Sequence, residues 1–361
     1  MNYVNPLLTE LSITSNDIEY TENYYTPTTY LTGVTDEAYS DWLVGTAYNV
    51  GDYVIVPELK RIFRSATSHT GTFPPSDSTV WQDWGVVNSY AMFASDSNIG
   101  SLTTGTDSIM EFDFSQSDTI VGVDLNFVSA TIILFDTSTI TYLGDYAGGT
   151  TYAIDEAVLY DGILYSSLTA GNTGNQPDIS PTEWDERDDL VYFDESILGS
   201  DIGCLDYADY YYTDKTDKKR VILTDLEWLP ESILRITMSG ASSIGTINYG
   251  KVDEMGVTLR GTSLSYESTS AFSTNEFTGY REIIRYGKVR ILEVVITYDL
   301  DDFNVLSTKI DDIIDKNIIF IPSSLDKFSE QITIGYIEKF KLPVSQFQDT
   351  QTVARVIGVN K

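Results

Sequence analysis

The sequence is poor in the side chains on which most chemistry depends. Its one cysteine, Cys204, leaves no partner for a disulfide within the chain and no thiolate cluster to hold a metal. Its one histidine, His69, sits in the polar stretch SATSHTG, so a Ser/His/Asp triad or a histidine-rich metal site has a single place to form. The plainer reading of His69 is a loop residue. Basic residues are scarce too: 22 lysines and arginines stand against 54 aspartates and glutamates, a formal charge of -32. That field repels nucleic-acid phosphate and anionic lipid, so neither is an expected partner. No apolar run reaches the ~20 residues of a membrane span. The opening MNYVNPLLTELSITSND has no basic start and no apolar stretch of signal-peptide length, which points to a soluble chain in a reducing compartment. The acidic residues are scattered and build no D-x-[DN]-x-[DN]-G loop, so the charge reads as solubility, with no metal or other cofactor expected.

Aromatic and β-branched residues are abundant instead. Twenty-five tyrosines and 15 phenylalanines, with much Thr, Ser, Ile and Val, are the composition of strands, and 361 residues suffice for two or three domains. One pattern occurs twice, from Trp42 to Trp84 and from about Gly149 to Trp184. Each copy reads Gly-Thr-x-Tyr, a short strand, a second strand with an aromatic, and a Gly-x-x-Pro loop that closes on Trp. The spacing from Gly71 to Pro74 and on to Trp81 equals that from Gly174 to Pro177 and on to Trp184. A fixed internal pattern of this kind marks two small β-modules. Between and after them, turn signals every eight to twelve residues and alternation such as Leu234, Ile236, Met238 predict the two halves of a β-sandwich. RILEVVITY (290–298) predicts a strand, and Ile332, Ile334 and Tyr336 alternate in a later one. The segment 301–317 predicts an amphipathic helix with Phe303, Leu306, Ile310, Ile313 and Ile314 on one face.

The expected order is an extended arm (1–41), module 1 (42–84), the first half of the sandwich (85–145), an inserted module 2 (146–188), the second half (189–252) and an α+β assembly domain (253–361). The fold class is thus mainly β: two small three-stranded modules, an interrupted sandwich and a β-rich α+β unit with one helix. Phe303, Leu306 and Ile310 are the candidate assembly residues.

Trp42, Tyr48, Gly51-Asp52, Val54, Phe63, Gly71, Pro74 and Trp81 resemble the small chitin-binding modules of bacterial chitinases. The second copy keeps Tyr152, Val158, Tyr165, Asn172, Gly174, Pro177 and Trp184, but Asp155-Glu156 replace Gly51-Asp52 where a turn favours glycine. The resemblance implies sugar rings stacked on exposed aromatics. Tyr48, Phe63, Trp81, Trp84, Tyr152, Tyr165 and Trp184 are the glycan-binding candidates, and the competing reading is that these rings are the cores of units too small to have any other. Trp84 lies beyond the closing Trp of the repeat and is expected to be exposed.

Over residues 42–361 the order of pieces resembles tailed-bacteriophage virion proteins that carry a carbohydrate-binding-like module before an interrupted jelly-roll domain. NSYAMF after the module, VILTDL near the middle and the closing Gly-Tyr-x-x-x-Phe strand carry that likeness. It implies a non-enzymatic tail or baseplate component that pairs with copies of itself and with other virion proteins. Small modules would project outward to touch host surface polysaccharide, where many linked copies gain ~10²–10⁴ in avidity. A connector whose modules bind only protein is the alternative. A glycan depolymerase would need two carboxylates ~5–9.5 Å apart across a cleft, for which Glu183, Asp185 and Glu186 are the nearest candidates.

Overall fold

The computed structural model of the chain describes residues 2–6, 8–15, 18–25, 30–94, 100–104, 107–198, 220–224, 226–241, 243–268, 271–274, 281–284, 288–314, 316, 318–323, 331–343 and 349–358. Cys204 and the side chains of the first thirty residues lie outside that description. The fold is mainly β, as composition and periodicity predict.

Alternation in Ser232–Ser239 puts Leu234, Ile236 and Met238 on one face, where they are buried. This strand is central in an antiparallel sheet ordered Val191–Leu198, Ser129–Asp136, Ser232–Ser239, Ser108–Asp113, Tyr30–Leu31. Its inner face meets Ile120, Leu125, Ile244 and Ile247 of a second, longer sheet, and the two make a β-sandwich. The longer sheet runs Arg220–Leu223, Thr119–Asn126, Ser243–Glu254, Asn2–Pro6, Ile318–Ile321, Thr333–Phe340, Asp349–Gly358, Lys288–Asp299, Val257–Thr258. The strand Asn2–Pro6 pairs antiparallel with Ser243–Glu254 on one side and Ile318–Ile321 on the other. The sandwich and the C-terminal unit therefore share one continuous ladder, and the expected boundary at 252/253 falls inside a strand.

The helix Phe303–Ile313 forms within the predicted segment, behind a turn that places Asp301 and Asp302 at its positive end. Leu306, Ile310 and Ile313 are buried against Leu292, Val294, Ile296, Phe320, Ile337 and Val356, with Phe303 packed at the margin. The face offered for assembly is therefore turned inward. A sheet with this much aliphatic surface must cover it, and the helix is the cover, pinned by a 3.0 Å ion pair from Lys309 to Asp253. The predicted alternation near residue 336 holds. Ile337 reaches the helix, while Ile332 and Ile334 join Val121, Ile319 and Ile321 in a separate cluster on the other face and Tyr336 is exposed.

Both modules fold alike. Module 1 orders Trp81–Val86, Arg61–Ser65, Tyr53–Val56 and a parallel edge strand Ser40–Asp41, with a short ladder of Ala47–Tyr48 on His69–Thr70. Module 2 orders Trp184–Glu186, Ile163–Ser167, Glu156–Tyr160 and a parallel edge strand Thr141–Asp145, with Thr151–Tyr152 on Asn172–Thr173. The main sheet of each has one strand more than expected, because the parallel edge strand precedes the repeat as read from sequence.

Module 2 lies flat on the outer face of the five-stranded sheet. Ala157, Leu159 and Leu164 pack with Ile133, Phe135, Ile140 and Leu190. Beside them Arg235 donates to Glu111 at 2.7 Å and to Asp145 at 2.7 Å, and the Tyr142 hydroxyl donates to Glu111 at 2.7 Å. Arg235 and Glu111 belong to the sandwich, Tyr142 and Asp145 to the module's edge strand. Burial, followed by the charge and hydrogen bond of Glu111, holds the Tyr142 phenol above its usual range. Burial opposes the Arg235 charge, but the Asp145 hydrogen bond and the negative groups around it outweigh that and hold the guanidinium above its ordinary value.

Removing one member of this buried set leaves an uncompensated charge, so Arg235→Met should cost about 3–5 kcal/mol in chemical denaturation. Pairing it with Glu111→Leu should recover part of that loss. The raised Tyr142 value sets a pH dependence: the unfolded chain gives up this proton near pH ~10 and the folded chain holds it to higher pH. Its stabilisation is complete below pH ~10 and is lost as pH climbs toward the folded value, at up to about 1.4 kcal/mol per pH unit. Tyr142→Phe should remove that slope, as read by urea melts from pH 9 to 11.

Candidate functional site

The two modules are built on the same hydrogen bonds. The Trp81 indole N–H donates to the Thr72 carbonyl at 2.9 Å, and that of Trp184 to Asn175 at 2.8 Å. The Tyr48 hydroxyl accepts the Leu43 N–H at 2.8 Å, and that of Tyr152 accepts the Ala147 N–H at 2.8 Å. Each Tyr meets its Trp edge to face, at 5.2 Å in module 1 and 5.1 Å in module 2. The turn that lost its glycine survives: Gly51 has φ +92° and Asp155 takes φ +65° in its place. The Asp52 carboxylate accepts the Asn49 N–H, and the Glu156 carboxylate accepts the Ala153 N–H, each at 2.7 Å. The side-chain bond holds the turn, so an aspartate suffices where glycine would be easier.

These contacts decide where the candidate rings go. Trp81 and Trp184 are 2% and 3% exposed, and Tyr48, Phe63, Tyr152 and Tyr165 are buried with them. Six of the seven glycan-binding candidates are core, because a unit of this size has little else to bury. Their ring faces are not open to a sugar. His69 is not a loop residue: it lies in a short strand and its ring meets Trp81 edge to face at 4.7 Å. Asn172 holds the same place in module 2, donating to Ser167 and to the Glu183 carbonyl.

Trp84 alone is open, at 56% exposure. It sits at a β-bulge between Asp83 and Gly85, where Asp83 accepts the Gly85 N–H and Gly85 has φ +121°. A bulge re-aims one side chain, here onto the sheet face that carries the cross-strand pair Tyr53 and Arg64. Tyr53 meets Trp84 edge to face at 5.4 Å and stacks on Tyr39 at 4.9 Å. The Arg64 guanidinium lies 5.7 Å from the Trp84 ring centre and 5.9 Å from that of Tyr53. Three rings and one cation thus form a platform in which Trp84 and Tyr39 are open and Tyr53 is half-buried between them. Tyr39 and Tyr53 were not expected from the sequence. The alternation around Val54 was the available signal, since Val54 points inward and Tyr53 must then point out.

In module 2, Ala157 and Ser166 occupy the places of Tyr53 and Arg64, and the sandwich covers that face. Module 2 is therefore docked and does not project outward. Of the carboxylates near Trp184, Asp185 and Glu186 follow one another on a strand and so face opposite ways, while Glu183 precedes that strand. Among the described residues no group of three or more His, Cys, Asp and Glu side chains could hold a metal ion, and no helix is long and apolar enough to cross a membrane. The chain matches no protein-family model and no curated protein.

Trp81→Ala or Trp184→Ala should each destabilise by about 3–5 kcal/mol, and Trp84→Ala by less than about 1 kcal/mol. Thermal melts followed by circular dichroism separate the two classes. Asp155→Gly, which removes the side chain from a left-handed backbone, should be neutral or stabilising by up to about 1 kcal/mol in the same melts.

Proposed function

We propose that the chain is a non-enzymatic structural component of a bacteriophage tail or baseplate, made in the host cytoplasm and assembled in several copies in the virion. In this reading module 1 contacts host surface polysaccharide through Trp84, Tyr53 and Tyr39, and the other surfaces meet further copies and other virion proteins. The order of sequence motifs supports the virion role. The observation that carries the glycan contact is the open aromatic platform on one of two otherwise matched modules. Flat rings offer the C–H faces of a sugar a stacking surface, and a multi-copy assembly turns weak single contacts into useful avidity.

The second reading is a connector whose modules touch only protein. The docked face of module 2 favours it, since there the same small fold serves as a protein-contact unit.

The test is glycan-array binding of the full chain, multimerised to restore avidity, beside Trp84→Ala with its fold checked by circular dichroism. Binding by the wild type that falls tenfold or more in the variant is the expected result. No binding by the multimerised wild type removes the glycan contact and leaves the connector.

A further inference from the structure

Module 1 has three basic side chains in residues 42–84, Lys60, Arg61 and Arg64. Arg61 is paired with Asp83 at 2.8 Å. Arg64 is different. In a chain with 54 acidic residues it has no carboxylate partner among the described residues, and its Nε is buried without a hydrogen bond. What holds it is the pair of ring faces of Tyr53 and Trp84. These contacts restrain the guanidinium and leave its Nη1/Nη2 edge without a hydrogen bond among the described residues. Gly51 is a neighbour, where an added Cβ would stand 4.0 Å from the Arg64 Nη2.

A platform meant only for neutral sugar would need the rings and a few neutral donors. A half-buried, ring-held arginine adds a site for a planar anion, because its Nη1/Nη2 edge matches a carboxylate with two parallel hydrogen bonds. The contrast within the chain points the same way: Ser166 stands in place of Arg64 in module 2, where the face is closed by protein.

We propose that the platform of module 1 is selective for acidic sugars, with Trp84 taking the C–H face of a pyranose ring and Arg64 taking its carboxylate. This rests on the glycan reading above and narrows it to uronic-acid-type polymers. The overall charge of -32 does not forbid it. At physiological ionic strength charges more than ~8 Å away are largely screened, whereas a carboxylate touching Arg64 is inside that distance.

The experiment uses the multimerised full chain against polygalacturonate, alginate and hyaluronan, each paired with its carboxyl-reduced form, and adds Arg64→Gln. Circular dichroism and thermal melting establish that the variant is folded. The expected result is binding to at least one acidic polymer, weakened about tenfold or more both by carboxyl reduction and by Arg64→Gln. Arg64→Lys, which keeps the charge but loses the fork, should fall between the two. Equal binding to native and reduced polymers, or binding indifferent to Arg64→Gln, overturns the acidic-sugar assignment. If Trp84→Ala still abolishes that binding, the glycan contact itself stands. Absence of wild-type binding to all acidic polymers also overturns the assignment, and neutral glycans on the same surface then decide the broader reading.

Discussion

In each module an indole N–H reaches back to a carbonyl of the Gly-x-x-Pro loop, and the rest of the unit is arranged around that bond. A β-unit of about forty residues buries little surface, so its largest apolar side chains must turn inward if it is to fold at all. Trp81 and Trp184 do so, and each brings a tyrosine whose hydroxyl ties down the preceding turn. The aromatics that define the repeat are thereby committed to stability. A recognition surface has to be recruited from residues the repeat does not specify, which is where Trp84, Tyr53 and Tyr39 lie.

Duplication with that constraint leaves one sheet face free to diverge. In module 2 the face carries small and aliphatic residues and is sealed on the sandwich, with Arg235, Glu111, Tyr142 and Asp145 satisfying one another along the seam. A buried ionic set of this kind adds little net stability over a well-packed apolar patch, yet it penalises any other placement of the module strongly. In module 1 the inner half of the face, Ile55 and Ile62, is buried, and the outer half is aromatic and open. One fold thus serves once as a fixed part and once as a surface.

Much of this was legible in the sequence, and the misreadings share a cause. The class of fold, the repeat, the sandwich strands and the helix follow from periodicity, because side-chain alternation is a local property of the chain. The helix face at Leu306 and Ile310 offers itself for assembly in the sequence, since the pattern shows that a face must be covered without showing by what. Thr141–Asp145 falls within the expected first half of the sandwich because a parallel edge pairing leaves no mark in sequence spacing. Arg235 alternates with Leu234 and Ile236 and so falls on the outer side of its strand, yet module 2 covers that side as well. The site divides in the same way. Trp84 was legible from its place beyond the closing Trp, while Tyr39 and Arg64 join it only through cross-strand neighbours.

The strand Asn2–Pro6 has a consequence for the order of events during synthesis. It completes its hydrogen bonds only with Ser243–Glu254 and Ile318–Ile321, both made in the last third of the sequence. At roughly 5–20 residues per second, the ribosome keeps this strand waiting for on the order of ten seconds to a minute. Both modules and the first sandwich strands have emerged by then. The long sheet is therefore the last part of the molecule to close. Until it does, two unpaired edges stand open to any strand that fits, including the same strand of another nascent copy.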